Sequence, residues 1–349
     1  MSLSTIRLDP WGDLTLRVGP DGATDDYIVC PRTLARASPV FERMLYGGFA
    51  EREPSTRAAV GEWIVRLPED NPITMGLFLS IIHGNYDETL QDLSLDEIYY
   101  LTVVVHYYDA TKVLRPWATI WINHVASLVE DVNTPMLRVL WVAWELGSIP
   151  LFRIVSRYIL LEFDAADFAD ALSCSSTQTP PGVLEHINSV RENVLCSLLQ
   201  PFRDLIGHLL VEDEKPRWCC HAVWMGPHRC ESIILGSLTW CLCKSKLWPL
   251  PEAPDIYESI AAIYTRLSGL IIHDLGQFDK KEDHSICNPS GMINSHMKTA
   301  LTCLTLPLTR RHIEYIKKQE HILDMKIGCF KPLLITKALK HNLRFSQTT

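Results

Sequence analysis

The stretch 34–51, LARASPVFERMLYGGFAE, constrains the fold more than any other part of this chain. Leu34, Ala37, Val40, Phe41, Met44 and Leu45 fall at the three- and four-residue steps that put side chains on one stripe of a helix. Ser38-Pro39 interrupts that stripe. Proline inside a helix removes a donor, so the helix kinks or restarts there. Gly47-Gly48 then supplies a stop, read here as the left-handed kind that glycine accepts. Phe49-Ala50-Glu51 follows as a short hook.

The segments around this stretch alternate between strand and helix signals. Residues 13–18 alternate apolar and polar, the period of a half-buried strand. Gly19-Pro20-Asp21-Gly22 is turn chemistry, and the β-prone 27–30 would pair back as a hairpin. A third strand is expected at 63–67, stopped by Pro68. Asn71-Pro72 can open a helix with Met75, Phe78, Leu79 and Ile82 inward. Ser94 and Glu97 have the spacing of a capping box. Ile98, Leu101, Val105 and Tyr108 continue that helix; Val113, Leu114, Trp117, Ile120, Trp121 and Val125 mark the next. Strands followed by paired helices make an α+β order.

These parts, in this order, resemble the BTB/POZ domain in the form seen in many fungal proteins. The pattern matched is x-L-x-x-A-S-P-V-F-x-x-M-L-x-G-G-F-x-E. Leu67-Pro68-Glu69-Asp70-Asn71-Pro72 is similar to that family's L-P-E-D-D-P, and Ile82-His83 to its L-H. Tyr107-Tyr108-Asp109-Ala110 is similar to its K-Y-D-C, from which His106 and Tyr107 depart. Cys30-Pro31 stands where the animal form has His-Lys, so contacts of that pair do not transfer. About a dozen residues precede the strand at 13–18, whereas the long animal form places a subunit-swapping helix there. The swapped dimer of that form is therefore not carried over by the resemblance, and a homo-oligomer stays open.

The resemblance implies a BTB/POZ domain over 1–125. Residues 126–173 then read as a helical extension and the Pro-rich 174–182 as a linker loop. The region 183–345 reads as mostly α-helical. Val183, Ile187, Val190, Val194, Leu198, Phe202, Leu205 and Leu209 mark one long helix, bent at Pro201. Residues 230–238, with Leu247-Trp248-Pro249 beyond, resemble a C-D-x-L-x-L-G-S-L-L stretch that accompanies the BTB domain in fungal proteins. No activity attaches to that stretch.

Formal net charge is −8, which argues against a general grip on nucleic acid. Residues 310–349 carry nine Lys/Arg against three Asp/Glu. Such a basic tail is a solvated face before it is a phosphate or acidic-partner site. No run approaches the roughly 20 apolar residues of a membrane span, and the first residues lack the core of an export signal. Eleven cysteines are then read as reduced thiols of the cytoplasm or nucleus, not a disulfide framework.

One third of the chain concentrates thiols and imidazoles: Cys219-Cys220-His221, His228, Cys230, Cys241, Cys243, His284 and Cys287. These are the donors tetrahedral zinc takes. The sharpest grouping is Cys220, Cys230, His284 and Cys287 around one structural zinc, with Cys219 as the substitute. The alternative is separate roles, with Cys241 and Cys243 as small buried apolar side chains and the histidines at the surface.

A catalytic site finds no such support. Cys220-His221 is proximity in sequence alone, and no glycine-framed nucleophile, phosphate-cradling loop or H-E-x-x-H occurs. Asp25-Asp26, Glu69-Asp70 and 212–214 read as solvated loops, and Trp117, Trp121, Trp141 and Trp144 as core. The expectation is a protein-interaction module with no chemistry of its own. In adaptors of cullin-type ubiquitin ligases a hydrophobic-x-Glu element follows this helix, which implies partner-binding roles for Phe49 and Glu51. The other reading is a self-assembling scaffold, or a transcription cofactor without a ligase link.

Overall fold

The computed structural model describes residues 5–48, 51, 63–86, 88–174, 176–211, 217–219, 227–277, 283–304 and 307–325. In chain order the first elements are β1 (Thr5–Arg7), β2 (Leu14–Val18), β3 (Asp25–Val29), α1 (Pro31–Ala37), α2 (Pro39–Tyr46) and β4 (Trp63–Leu67). Helices α3 (Pro72–His83), α4 (Leu95–Tyr107), α5 (Ala118–Ser127), α6 (Met136–Glu145), α7 (Ile149–Glu162) and α8 (Ala165–Ser173) follow. The last are α9 (Val183–Leu210), α10 (Pro227–Lys244), α11 (Ile260–Ser268), α12 (Ser290–Thr302) and α13 (Arg310–Leu323). The class is mixed α+β. No helix among the described residues is long and apolar enough to cross a membrane.

Contacts divide the chain into two units. Unit 1 holds the described residues within Met1–Val155, Ser175–Pro181 and Thr309–Ile335; unit 2 holds those within Ser156–Cys174 and Gly182–Leu308. Residues 126–173, expected as one helical extension, are thus shared between the units. Helix α13, expected within 183–345, counts with unit 1, where Tyr315 and Gln319 donate to the buried Glu145.

Unit 1 contains a four-stranded sheet in the order β1-β3-β2-β4. Leu14, Leu16 and Val18 of β2 have no exposed surface, as their alternation requires. The hairpin sets Leu16 opposite Tyr27 and Arg17 opposite Asp26. β4 runs parallel to β2, with Val65 opposite Leu16, and β1 parallel to β3. β1 carries three exposed residues. Asp26 is not the solvated loop residue expected. It accepts Arg17 Nε and Nη2, each at 2.8 Å, and the Arg17 bond holds its carboxyl below the usual range against the effect of burial. That stabilisation is present at neutral pH and lost as pH falls through the depressed value.

The break at Ser38-Pro39 is a restart. Pro39 opens α2, and the fully buried Ser38 hydroxyl accepts the Phe41 amide at 3.1 Å while donating to the Tyr108 carbonyl at 2.5 Å. Phe41 then stacks on Tyr108, ring centres 4.4 Å apart, with Phe78 alongside. Tyr108 donates to Asp70 Oδ2 at 2.7 Å. Burial pushes the Asp70 carboxyl up, so it too is no solvated loop residue. Gly47 ends α2 at φ −79°, extended and not left-handed; the helix stops without glycine's special geometry.

His83 fastens the start of α1 to α3. Its Nε2 accepts the Cys30 amide at 3.1 Å, and its Nδ1 lies 2.8 Å from the Leu79 carbonyl. Ser94 and Glu97 form the expected capping box. The four tryptophans expected in the core are buried. Ile120, assigned to the inner face of its helix, is instead 42% exposed. Residues 111–114 form a separate 3-10 turn, which breaks the single periodicity assumed there.

Unit 2 is built on α9, against which α8, α10, α11 and α12 pack. Val183, Ile187, Val194, Leu198, Phe202, Leu205 and Leu209 are buried, and Pro201 lies inside the helix. Arg191, also buried on α9, donates from Nη2 to the carbonyls of Ile256 and Glu258 at 2.8 Å each.

Truncating Phe41 removes a ring that nothing else can replace. Phe41→Ala is expected to lower the stability of unit 1 by about 3–5 kcal/mol, read from denaturant midpoints. Tyr107→Ala, next to Tyr108 in the chain and against its ring but 70% exposed, should cost no more than about 0.5 kcal/mol in the same measurement.

Candidate metal centre

Four buried side chains of unit 2 converge: Cys219, Cys230, His284 and Cys287. One donor atom from each lies within 4.8 Å of all the others. Cys219 Sγ is 3.5 Å from His284 Nδ1. None of the four is more than 4% exposed. Three thiols and an imidazole in this arrangement could hold a metal ion.

The donors come from three places. Cys230 stands in the first turns of α10. Cys219 precedes α10 in the chain. His284 and Cys287 flank and end the 3-10 turn Ser285–Cys287, whose tight pitch turns both toward one point. That turn is well anchored. Asn288 donates from Nδ2 to Asp274 Oδ2 at 2.7 Å and to the Ile272 carbonyl at 2.8 Å. The His284 amide donates to the Gly276 carbonyl at 3.0 Å, where Gly276 adopts φ +65°. Trp218 donates from Nε1 to the Cys287 carbonyl at 2.7 Å.

A second ring of contacts positions Cys219. Glu231, 5% exposed, accepts the Cys219 amide at 3.3 Å and pairs with Arg217. Arg217 also donates to His228 Nδ1 at 3.1 Å. Burial raises the Glu231 carboxyl, but the bonds from Arg217 and the Cys219 amide outweigh it and hold the group below the usual range. Burial, reinforced by the neighbouring Cys219 and Cys287, pushes the Cys230 thiol well up. Binding of a metal at Cys230 would require that thiol to give up its proton.

Of the residues singled out from sequence, Cys230, His284 and Cys287 come together. With them among the described residues lies Cys219, named from sequence as the substitute for Cys220; Cys220 and His221 lie outside the described residues. His228 is exposed and faces Arg217. Cys241 is buried, with Sγ donating to the Ile271 carbonyl at 3.0 Å. Cys243 is exposed rather than a buried apolar residue. Glu51 is exposed, and its carbonyl accepts Trp63 Nε1 at 3.1 Å. Phe49 and the acidic run 212–214 lie outside the described residues. Arg217, Trp218 and Glu231 escaped sequence reasoning, because no periodicity or spacing marks residues that hold a ligand's backbone.

Cys219→Ser and Cys230→Ser are each expected to abolish metal retention through gel filtration, measured by elemental analysis. Cys243→Ser, changed at an exposed thiol, should retain it in full.

No model of a known family matches this chain, and no curated protein sequence matches it.

Proposed function

We propose that the chain is a protein-interaction protein without catalysis of its own. In this reading unit 1 is a BTB/POZ-type module that docks another polypeptide, and unit 2 is stabilised by a structural zinc. The observation that carries the first part is the helix pair α1 and α2, broken and restarted at Ser38, joined to a sheet in which β2 and β3 form a hairpin and β4 lies parallel to β2. The motif order of the sequence and this order of elements support one another.

The zinc part rests on the donor set. Zinc with sulfur at about 2.3 Å and nitrogen at about 2.0–2.1 Å has tetrahedral edges of roughly 3.5–3.8 Å. The Cys219–His284 separation of 3.5 Å is already of that length. Three sulfurs and one nitrogen fill all four positions. A filled tetrahedron has no vertex for a substrate or an activated water, which is the structural rather than the catalytic kind of site. Such a centre ties three separate segments together, so its binding energy acts as folding energy of unit 2.

Two partner readings follow for unit 1. The first is an adaptor in which Phe49 and Glu51 engage a cullin-type ubiquitin ligase. The second is a scaffold or transcription cofactor that assembles with its own copies and has no ligase link.

Elemental analysis of the purified full chain should find about one zinc per chain, and chelation should lower the melting temperature of unit 2. Zinc far below stoichiometry, or a disulfide among the three cysteines by mass spectrometry, defeats the zinc reading. Pull-down with the full chain should capture a cullin, and Phe49→Ala with Glu51→Ala should lose it. A wild-type chain that captures none, yet sediments as an oligomer at micromolar concentration, is instead the scaffold.

A further inference from the structure

A carboxylate almost without water stands at the end of α6 in unit 1. Glu145 is 1% exposed and takes three donors. His106, near the end of α4, places Nδ1 2.7 Å from Oε1. Tyr315 donates its hydroxyl to the same oxygen at 2.6 Å. Gln319 donates from Nε2 to Oε2 at 3.2 Å and to the Tyr315 hydroxyl at 2.8 Å. Two of these three partners belong to α13.

Helix α13 is seated at further points. The Tyr315 ring stacks on Trp144, with centres 4.2 Å apart and planes at 10°. Gly147 adopts φ +74°, and a Cβ there would collide with the Glu320 amide nitrogen, so the α13 backbone lies directly on residue 147. Arg115 pairs with Asp324 just beyond the helix.

The charges around His106 come from every neighbouring element. Glu145 faces it from α6, and Tyr315 and Lys318 from α13. Asp109 and Lys112 face it from the turn after α4, across a cavity of about 380 Å³. His312 of α13 sits further off, over Trp144. Both lysines are exposed to solvent. Among the described residues, the cation paired with Glu145 is His106. We infer that α13 is a clasp held on unit 1 by the charged His106–Glu145 pair, and that it loosens when His106 loses its proton.

The direction follows from electrostatics. The Glu145 bond keeps His106 charged to a higher pH than an ordinary histidine, against the effect of partial burial, and Asp109 adds to this. A raised value in the folded state means stabilisation that is complete below the ordinary histidine value. It is lost as pH climbs through the raised one. Neutral His106 can still donate from Nδ1, so the hydrogen bond survives. The buried negative charge is then left without an opposite charge in contact, and that is what is costly. Release of α13 returns Glu145 to water and uncovers Trp144 and Gly147, a surface shaped for one helix. The chain thus carries its own removable cover for this face of unit 1.

The test is hydrogen–deuterium exchange of the full chain, expressed as protection factors so that the intrinsic pH dependence of exchange cancels. Protection of 310–323 is expected to fall several-fold between about pH 6 and about pH 9, while α4 and α6 hold theirs. His106→Lys, a cation throughout that range, should keep α13 protected at both ends. Glu145→Gln should remove the pH dependence. Flat protection in the wild type, or a His106→Lys chain that loses protection as the wild type does, overturns the clasp. If either variant fails to fold, the wild type still decides it: the NMR midpoint of the His106 ring must coincide with the loss of α13 protection, and separate midpoints overturn the inference.

Discussion

The Ser38 hydroxyl has no access to water, so both its lone pair and its proton must find partners inside the protein. It accepts the Phe41 amide, which starts α2, and donates to the Tyr108 carbonyl, which ties the end of α4 to that start. The two bonds leave the Phe41 and Tyr108 rings with one stacked arrangement. From Tyr108 the chain of constraint reaches Asp70, whose carboxyl accepts the phenol beside the first turn of α3. A helix restart, a ring stack and a loop carboxylate are thus parts of one buried polar network. Partial loss of such a network costs more than its absence would.

The same rule organises the other two polar centres. At the cluster in unit 2, the Cys219 amide is satisfied by Glu231, which is itself held by Arg217. These contacts fix the backbone that carries the Cys219 sulfur. At Glu145 the donors are His106, Tyr315 and Gln319, so a helix late in the chain is held by an acid in its first half. In each place a buried acceptor selects which distant segment comes to it.

What sequence reasoning read well was local. The hairpin over β2 and β3, the restart at Ser38-Pro39, the cap at Ser94 and the length of α9 depend on neighbours within a few residues. Errors arose where burial overrode local chemistry. Asp26 and Asp70 look like loop acids, yet a cross-strand arginine and a buried phenol take them up. Ile120 fits a helical period that the 3-10 turn before α5 resets. Gly47 permits a left-handed stop that the chain does not use.

By its sequence alone, this protein is committed to α+β elements, to an apolar core that takes in Trp117, Trp121, Trp141 and Trp144, and to a concentration of thiol and imidazole over 219–287. Backbone propensity and hydrophobic period act over a few residues, and so they can be read along the chain. Which thiol meets which imidazole, that β4 runs beside β2, and that α13 returns to Glu145 belong to tertiary structure. Those pairings are chosen by desolvation, which charges every buried donor and acceptor for a missing partner and which no local window of residues can sense.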